Sequence, residues 1–193
     1  MKKYYVVIAL LLLSSVVAAE AIETAEQRDA VFEQGIVLFE ESKFDEALAL
    51  IKPLAETGHA NAQYQMGLMH TWGVGLPRDE VMAQSWYAKA FERMQIEANR
   101  GDGESMADLG LMLDEGQGVE RDVQAALEWL KKGVEVNNAS AIAYMGDMYL
   151  YGHGVPTSVS EAQNWYRQSA ELGNDYALTM LTRLEQTHGA SSD

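Results

Sequence analysis

The sequence predicts an all-α chain of stacked antiparallel helix pairs, and three recurring marks carry that prediction. Trp86-Tyr87, Trp129-Leu130 and Trp165-Tyr166 repeat at offsets of 43 and 36 residues. The same offsets carry Gly73-Val74-Gly75 onto Gly116-Gln117-Gly118 and Gly152-His153-Gly154, and Gly67 onto Gly110 and Gly146. Small residues keep the same register, with Ala83, Ala126 and Ala162 in one column and Ala62, Ser105 and Ala141 in another. Marks in phase at this period are the signature of a repeat architecture. The unit is 36 residues, and one copy carries seven extra residues near Gln95 to Gly101.

Each unit reads as two helices. Ala60 to Trp72 has apolar or small residues at 62, 66, 69 and 70, the spacing of an amphipathic helix, and no internal proline. Gly73 and Gly75 end it, since glycine accepts the left-handed backbone of a helix C-terminus, and Pro77 and Pro156 reinforce the stop. Asp79 and Asp122 stand where a side chain would cap the second helix of their units. That helix runs to about Met94 in the first copy, with Val81, Met82, Trp86 and Ala90 on one side. Ala62 and Gly67 leave room for close helix approach.

The series Ala-x-x-Trp-Tyr-x-x-Ala at 83–90, Ala-x-x-x-x-Gly at 141–146 and Gly-x-Gly-Val at 152–155 resembles the Sel-1-like repeat (SLR), a relative of the tetratricopeptide repeat. The resemblance covers about Phe44 to Leu184 and implies a right-handed α/α superhelical solenoid. Residues 25–57 depart from it: Gly35 precedes Ala47 by only 12 residues, against 16 in the later copies, so this hairpin is expected to be a tetratricopeptide-like N-terminal cap. Residues 58–187 form the repeat array, closed by a helix from Asp175, because Thr182 replaces the next expected glycine. Residues 188–193 read as a flexible tail.

The N-terminus follows a different logic. Lys2 and Lys3 precede an apolar run from Tyr4 to Leu13, and small residues follow. This pattern predicts a signal peptide over 1–19, with cleavage before Glu20 or as late as residue 21. An uncleaved anchor is the alternative, but the apolar run is short for a bilayer. With no cysteine, the chain has no site for lipid attachment at an N-terminal Cys and no disulfide. A periplasmic or secreted bacterial protein is expected.

The formal charge is -15; cleavage removes Lys2 and Lys3 and leaves 12 Lys+Arg against 29 Asp+Glu, or -17. A chain this acidic lacks the basic footprint that nucleic acid requires. Chemistry is equally hard to find. The glycine pairs lack the strand and lysine of a phosphate loop. His59, His70, His153 and His188 form no metal-ligand spacing, and Asp114-Glu115 and Glu40-Glu41 diverge around their helices. No catalytic residue, metal or cofactor is expected, and the tryptophans read as core anchors.

What remains is the face lined by the first helix of each pair. Carrying the tetratricopeptide register across names Phe32, Ile36 and Phe39; Tyr64, Leu68, Thr71 and Trp72; Leu111, Asp114 and Glu115; and Asp147, Leu150 and Tyr151 as partner-binding candidates. Their apolar and acidic mixture suits a protein or peptide with apolar anchors and basic flanks. The resemblance implies a non-enzymatic interaction scaffold or adaptor of the bacterial cell envelope. Alternatives are a periplasmic immunity protein that neutralises a toxin, and a cell-wall (peptidoglycan) enzyme. Cysteine-rich members of the family point to the latter, and this chain has no cysteine.

Overall fold

The computed structural model describes residues 24–189, and the signal-peptide region falls outside them. The described residues form nine α-helices and no strand. They are α1 (Ala25–Glu40), α2 (Phe44–Glu56), α3 (Ala60–Trp72), α4 (Glu80–Ala98), α5 (Gly103–Glu115), α6 (Val123–Glu135), α7 (Ala139–Tyr151), α8 (Val159–Glu171) and α9 (Asp175–Gly189). Residues 188 and 189, read as tail, thus belong to α9, and the rest of that tail lies outside the described residues. The chain is an all-α helical-repeat solenoid. Its described residues divide into two compact units, one ending at Arg93 and the other beginning at Met94, with the division inside α4.

The loops 73–79, 116–122 and 152–158 are built alike. Gly73, Gly116 and Gly152 cap α3, α5 and α7 at φ of 67°, 72° and 74°, and Gly75, Gly118 and Gly154 return to the same left-handed region. This conformation costs a side-chain-bearing residue energy that glycine avoids. By contrast, α1 and α2 are joined through 41–43, where Ser42 holds a positive φ of 61°.

The helix starts are also periodic. Asp122 Oδ1 accepts the amides of Gln124 and Ala125, and Asp79 Oδ1 accepts that of Met82. A second column, not read from the sequence, caps the first helices. His59 Nδ1, Asp102 Oδ2 and Asn138 Oδ1 take the amides of Ala62, Ser105 and Ala141, and Asn174 does the same for Ala177. Each satisfies an amide that has no partner within its helix. The seven-residue excess is absorbed largely as helix: α4 has 19 residues where α6 and α8 have 13.

The residue after each tryptophan, rather than the tryptophan, is the deepest anchor. Tyr87, Leu130 and Tyr166 are 2%, 1% and 0% exposed. Each lies over the repeated glycine of the paired first helix. A Cβ at Gly67 would overlap the Tyr87 ring; one at Gly110 would stand 2.5 Å from Leu130 Cδ2, and one at Gly146 2.6 Å from Tyr166 Cε1. Trp86 is buried, but Trp129 and Trp165 are only half-buried. They are covered on the outside by Lys132, 3.8 Å over the Trp129 ring, and by Tyr149, stacked on Trp165 at 6.4 Å. The expectation of three core tryptophans therefore holds for one of them. A helix turns 100° per residue, so only one of two neighbours can face the partner helix squarely.

Met66, Met69, Met94, Met112, Met145, Met148 and Met180 are all buried, as expected of flexible side chains filling irregular gaps. In the first unit they join a core with Val31, Phe32, Ile51, Leu54 and Trp86. In the second, Met180 and Leu181 of the closing helix pack on Tyr166, Ala143 and Ala162.

Gly110→Leu is expected to force α5 and α6 apart at Leu130 and to destabilise the chain by about 2 kcal/mol or more, since overpacking a tight seam has this cost. Urea denaturation followed by circular dichroism measures it, and an unchanged midpoint would refute the contact.

Candidate functional site

The partner-binding residues predicted in the first unit are largely engaged within it. Phe32 is core, 8% exposed, with its ring 5.1 Å from that of His59, so packing against the next hairpin removes it from the working face. Ile36 and Phe39 lie against the same core, and Phe39 also meets Phe44 edge-on at 5.3 Å. Tyr64 leans on Tyr87 at 5.4 Å, and the Thr71 hydroxyl bonds Gly67 O at 3.0 Å and the Tyr87 hydroxyl at 2.9 Å. Leu68 is half-buried, and Trp72, at 72% exposure, is fully displayed.

In the second unit the prediction converges on one place. Leu111, Asp114, Glu115, Asp147 and Tyr151 line a single groove of about 610 Å³, joined by Ser140, Ala143, Tyr144, His153, Asn174 and Tyr176. Leu150 is not among them. It packs toward the core of Tyr166 and Ala177, because one residue's turn of α7 carries it off the groove face. The groove is built by the inward stripes of α5 and α7, by the N-terminus of α9, and by the glycine loop that follows α7. His153 and Tyr176 were not foreseen. His153 is one of the three middle residues of the Gly-x-Gly triplets, where Val74 and Gln117 stand in the other copies. That change from the repeat is the signal that marks it.

Hydrogen bonds hold the groove walls. Asp147 Oδ1 accepts from the hydroxyls of Tyr166 at 2.6 Å and Tyr176 at 2.8 Å. Tyr166 therefore ties the core to the groove: its ring seals Gly146 and its hydroxyl fixes a groove carboxylate. Asp114 is held differently, by Arg121 Nη2 at 2.9 Å and His153 Nδ1 at 2.5 Å, while its carbonyl accepts from Arg121 Nε. Glu115 Oε2 accepts from Gln117 Nε2 at 2.6 Å, and Ser140 donates to Glu104 at 2.9 Å. No Lys or Arg lines the groove.

Burial, and acid crowding after it, shows in the ionisation of these groups. Burial raises the Asp147 carboxyl above its ordinary value against the opposing pull of its two phenols. Burial and the neighbouring Asp114 raise Glu115. The Tyr144 phenol is pushed far up by burial and by the negative charges of Asp108, Glu104, Asp147 and Glu115. Asp108 lies one turn before Leu111 on α5; burial, with Glu104 and Asp102 nearby, pushes it to about 7. Among the described residues no group of three or more His, Asp or Glu is placed to hold a metal, and no helix is long and apolar enough to cross a membrane.

The folded chain keeps the Asp108 proton up to about pH 7, whereas the unfolded chain releases it near the ordinary 3.8. The stability linked to this site is thus fully present below that lower value and is lost as pH rises toward 7. Asp108→Asn is expected to stabilise the chain at pH 8 by on the order of 1–3 kcal/mol, a gain that shrinks as pH falls toward 4. Denaturant midpoints across that range check it, and a pH-independent difference would show that Asp108 is not protonated in the folded chain.

The family model described as Sel1 repeat matches residues 60–93, 103–138 and 139–174. Among solved structures, the chain is similar to a protective antigen present in uropathogenic Escherichia coli strains that displays an SLR fold. The two share 31% identity at a TM-score of 0.51, over 84% of this chain and 33% of the antigen. This chain therefore spans about a third of that protein's length. A Sel1 repeat protein from Oxalobacter formigenes shares the fold at 24% identity and a TM-score of 0.53, over 88% of this chain and 69% of that one. Comparison with curated proteins finds no match. The three matched repeats begin at the first residues of α3, α5 and α7 and span the recurring glycines, and together they take in more than half of the residues: this chain belongs to the Sel1 repeat family.

Proposed function

We propose that this protein is a non-enzymatic scaffold of the bacterial cell envelope that binds a partner protein or peptide in the groove of its second unit. Sel1-repeat proteins are generally protein-interaction scaffolds. The observation that carries the proposal is the groove itself. Its walls combine displayed aromatic rings, Tyr151 at 58% and Tyr176 at 45% exposure, with carboxylates fixed by hydrogen bonds. Rigid rings beside oriented polar groups are what a binding surface offers a peptide at low entropic cost.

The polar groups support binding over catalysis. Asp114 and His153 form an acid–base pair, but no hydroxyl is hydrogen-bonded to that imidazole among the described residues. The Ser140 hydroxyl is turned to Glu104 instead. A nucleophile within hydrogen-bond reach of its base is the minimum arrangement for covalent catalysis. Export is supported by Lys2, Lys3 and the apolar run from Tyr4 to Leu13.

A photo-crosslinking residue at Tyr151, in the full chain in its native bacterium, is expected to give a dominant protein adduct in the periplasmic fraction. The same residue at Glu128, exposed on α6, is expected to give none of it. No adduct at Tyr151, or the same adducts from both positions, would overturn the docking role. Adducts confined to the cytoplasm would overturn the location alone.

A further inference from the structure

We infer that the groove is an arginine-anchoring site: it takes the guanidinium of an extended partner segment between Asp147 and Glu115, against the rings of Tyr151 and Tyr176. The inference rests on the proposed docking role and names the chemistry of what docks.

Three features of the groove point to an organic cation. The first is an excess of unanswered acceptors. Asp147 spends only Oδ1 on the two phenols, and Glu115 spends only Oε2 on Gln117. Asp147 Oδ2, Glu115 Oε1 and the Tyr144 hydroxyl take no hydrogen bond among the described residues, and all three side chains line the groove. A cationic donor that reaches these oxygens replaces water with charge-assisted hydrogen bonds, which are stronger than neutral ones. The second is the lack of an internal counter-charge, since the only basic side chain in the lining is His153, and it serves Asp114. The third is aromatic. Tyr151 and Tyr176 present large, exposed rings at the same groove, and ring faces attract cations that are partly stripped of water.

Arginine fits this arrangement better than lysine does. The open acceptors come from α5 and from two positions on α7, so the groove offers several acceptors from two helices. A guanidinium carries five donors in a plane and stacks on aromatic rings, whereas an ammonium is a compact, strongly hydrated point charge. The chain already uses this chemistry at the adjoining carboxylate. Arg121 grips Asp114 with two of its nitrogens, Nη2 on the carboxylate and Nε on the main-chain carbonyl. Asp114 is therefore satisfied from within, and Asp147 and Glu115 are left for the partner. The formal charge of -15 draws basic segments toward the surface but cannot choose between arginine and lysine. That choice falls to the groove.

The probes are three alanine-based nonapeptides that differ only at the central residue: arginine, lysine, or citrulline, the neutral shape-mimic of arginine. Binding to the full mature chain is read by NMR from the aromatic resonances of Tyr144, Tyr151 and Tyr176. The arginine peptide is expected to shift these resonances and to bind roughly tenfold tighter than citrulline and at least about threefold tighter than lysine, the margin that charge-assisted, stacked contacts give. Tyr151→Ala and Glu115→Gln both alter exposed positions, and each is expected to weaken the arginine peptide by about fivefold. Citrulline binding as tightly as arginine would overturn the inference and leave the docking role standing. Equal affinity for lysine would reduce the site to a general cation site and overturn the assignment to arginine. If no peptide shifts the tyrosines while the Tyr151 crosslink still forms, the partner docks by other chemistry and the inference fails alone; if both fail, so does the docking role.

Discussion

The contact on which everything else depends is the seating of a second-helix side chain on a first-helix glycine: Tyr87 on Gly67, Leu130 on Gly110 and Tyr166 on Gly146. Without a Cβ at the glycine, each second helix approaches the backbone of its partner, and the bulky residue fills the space and becomes fully buried. Interiors packed this closely respond stiffly to added volume. The pair geometry is thereby set by one small residue and one large one, and the remaining methionines and alanines pack around that seat.

That contact also reaches the surface. In α8, Tyr166 seals Gly146 with its ring and sends its hydroxyl past it to Asp147. In the first unit Tyr87 does the same for Thr71. The middle repeat has Leu130 and so has no hydroxyl to send, and its groove-side acid, Asp114, is held by Arg121 and His153 from the flanking loops. One packing position thus yields different polar surfaces according to whether it carries a phenol. This is how a conserved seat within the chain coexists with copies that present different chemistry.

The electrostatics follow from the same stacking. Placing α5 beside α7 brings Glu104, Asp108, Glu115 and Asp147 within reach of the Tyr144 hydroxyl, although they are spread over more than forty residues of chain. Crowded carboxylates in a recess cost stability through dehydration and mutual repulsion. A folding core with no other role would gain by replacing them with apolar groups. Their presence in a groove with exposed tyrosines supports the proposed binding role.

Much of the architecture was legible because it is periodic. The glycine columns, the loop caps at Asp79 and Asp122 and the closing helix from Asp175 could all be read before any coordinates, since backbone conformation and capping depend on local residue type. Five of the thirteen predicted binding residues line the groove, because the stripe of a helix face also follows from spacing. Phe32 and Leu150 illustrate the limit: a small rotation or a neighbouring hairpin decides whether a residue at a face position is displayed or packed. The sequence by itself determined the repeat, the helix ends and the acidic balance. Only the tertiary structure decided which acids meet, that Tyr166 rather than Trp165 is the deep anchor, and that His153 and Tyr176 complete the groove. The physical reason is that a helix end is set by a few adjacent residues, whereas a groove is set by side chains from separate helices whose distances arise only when those helices pack.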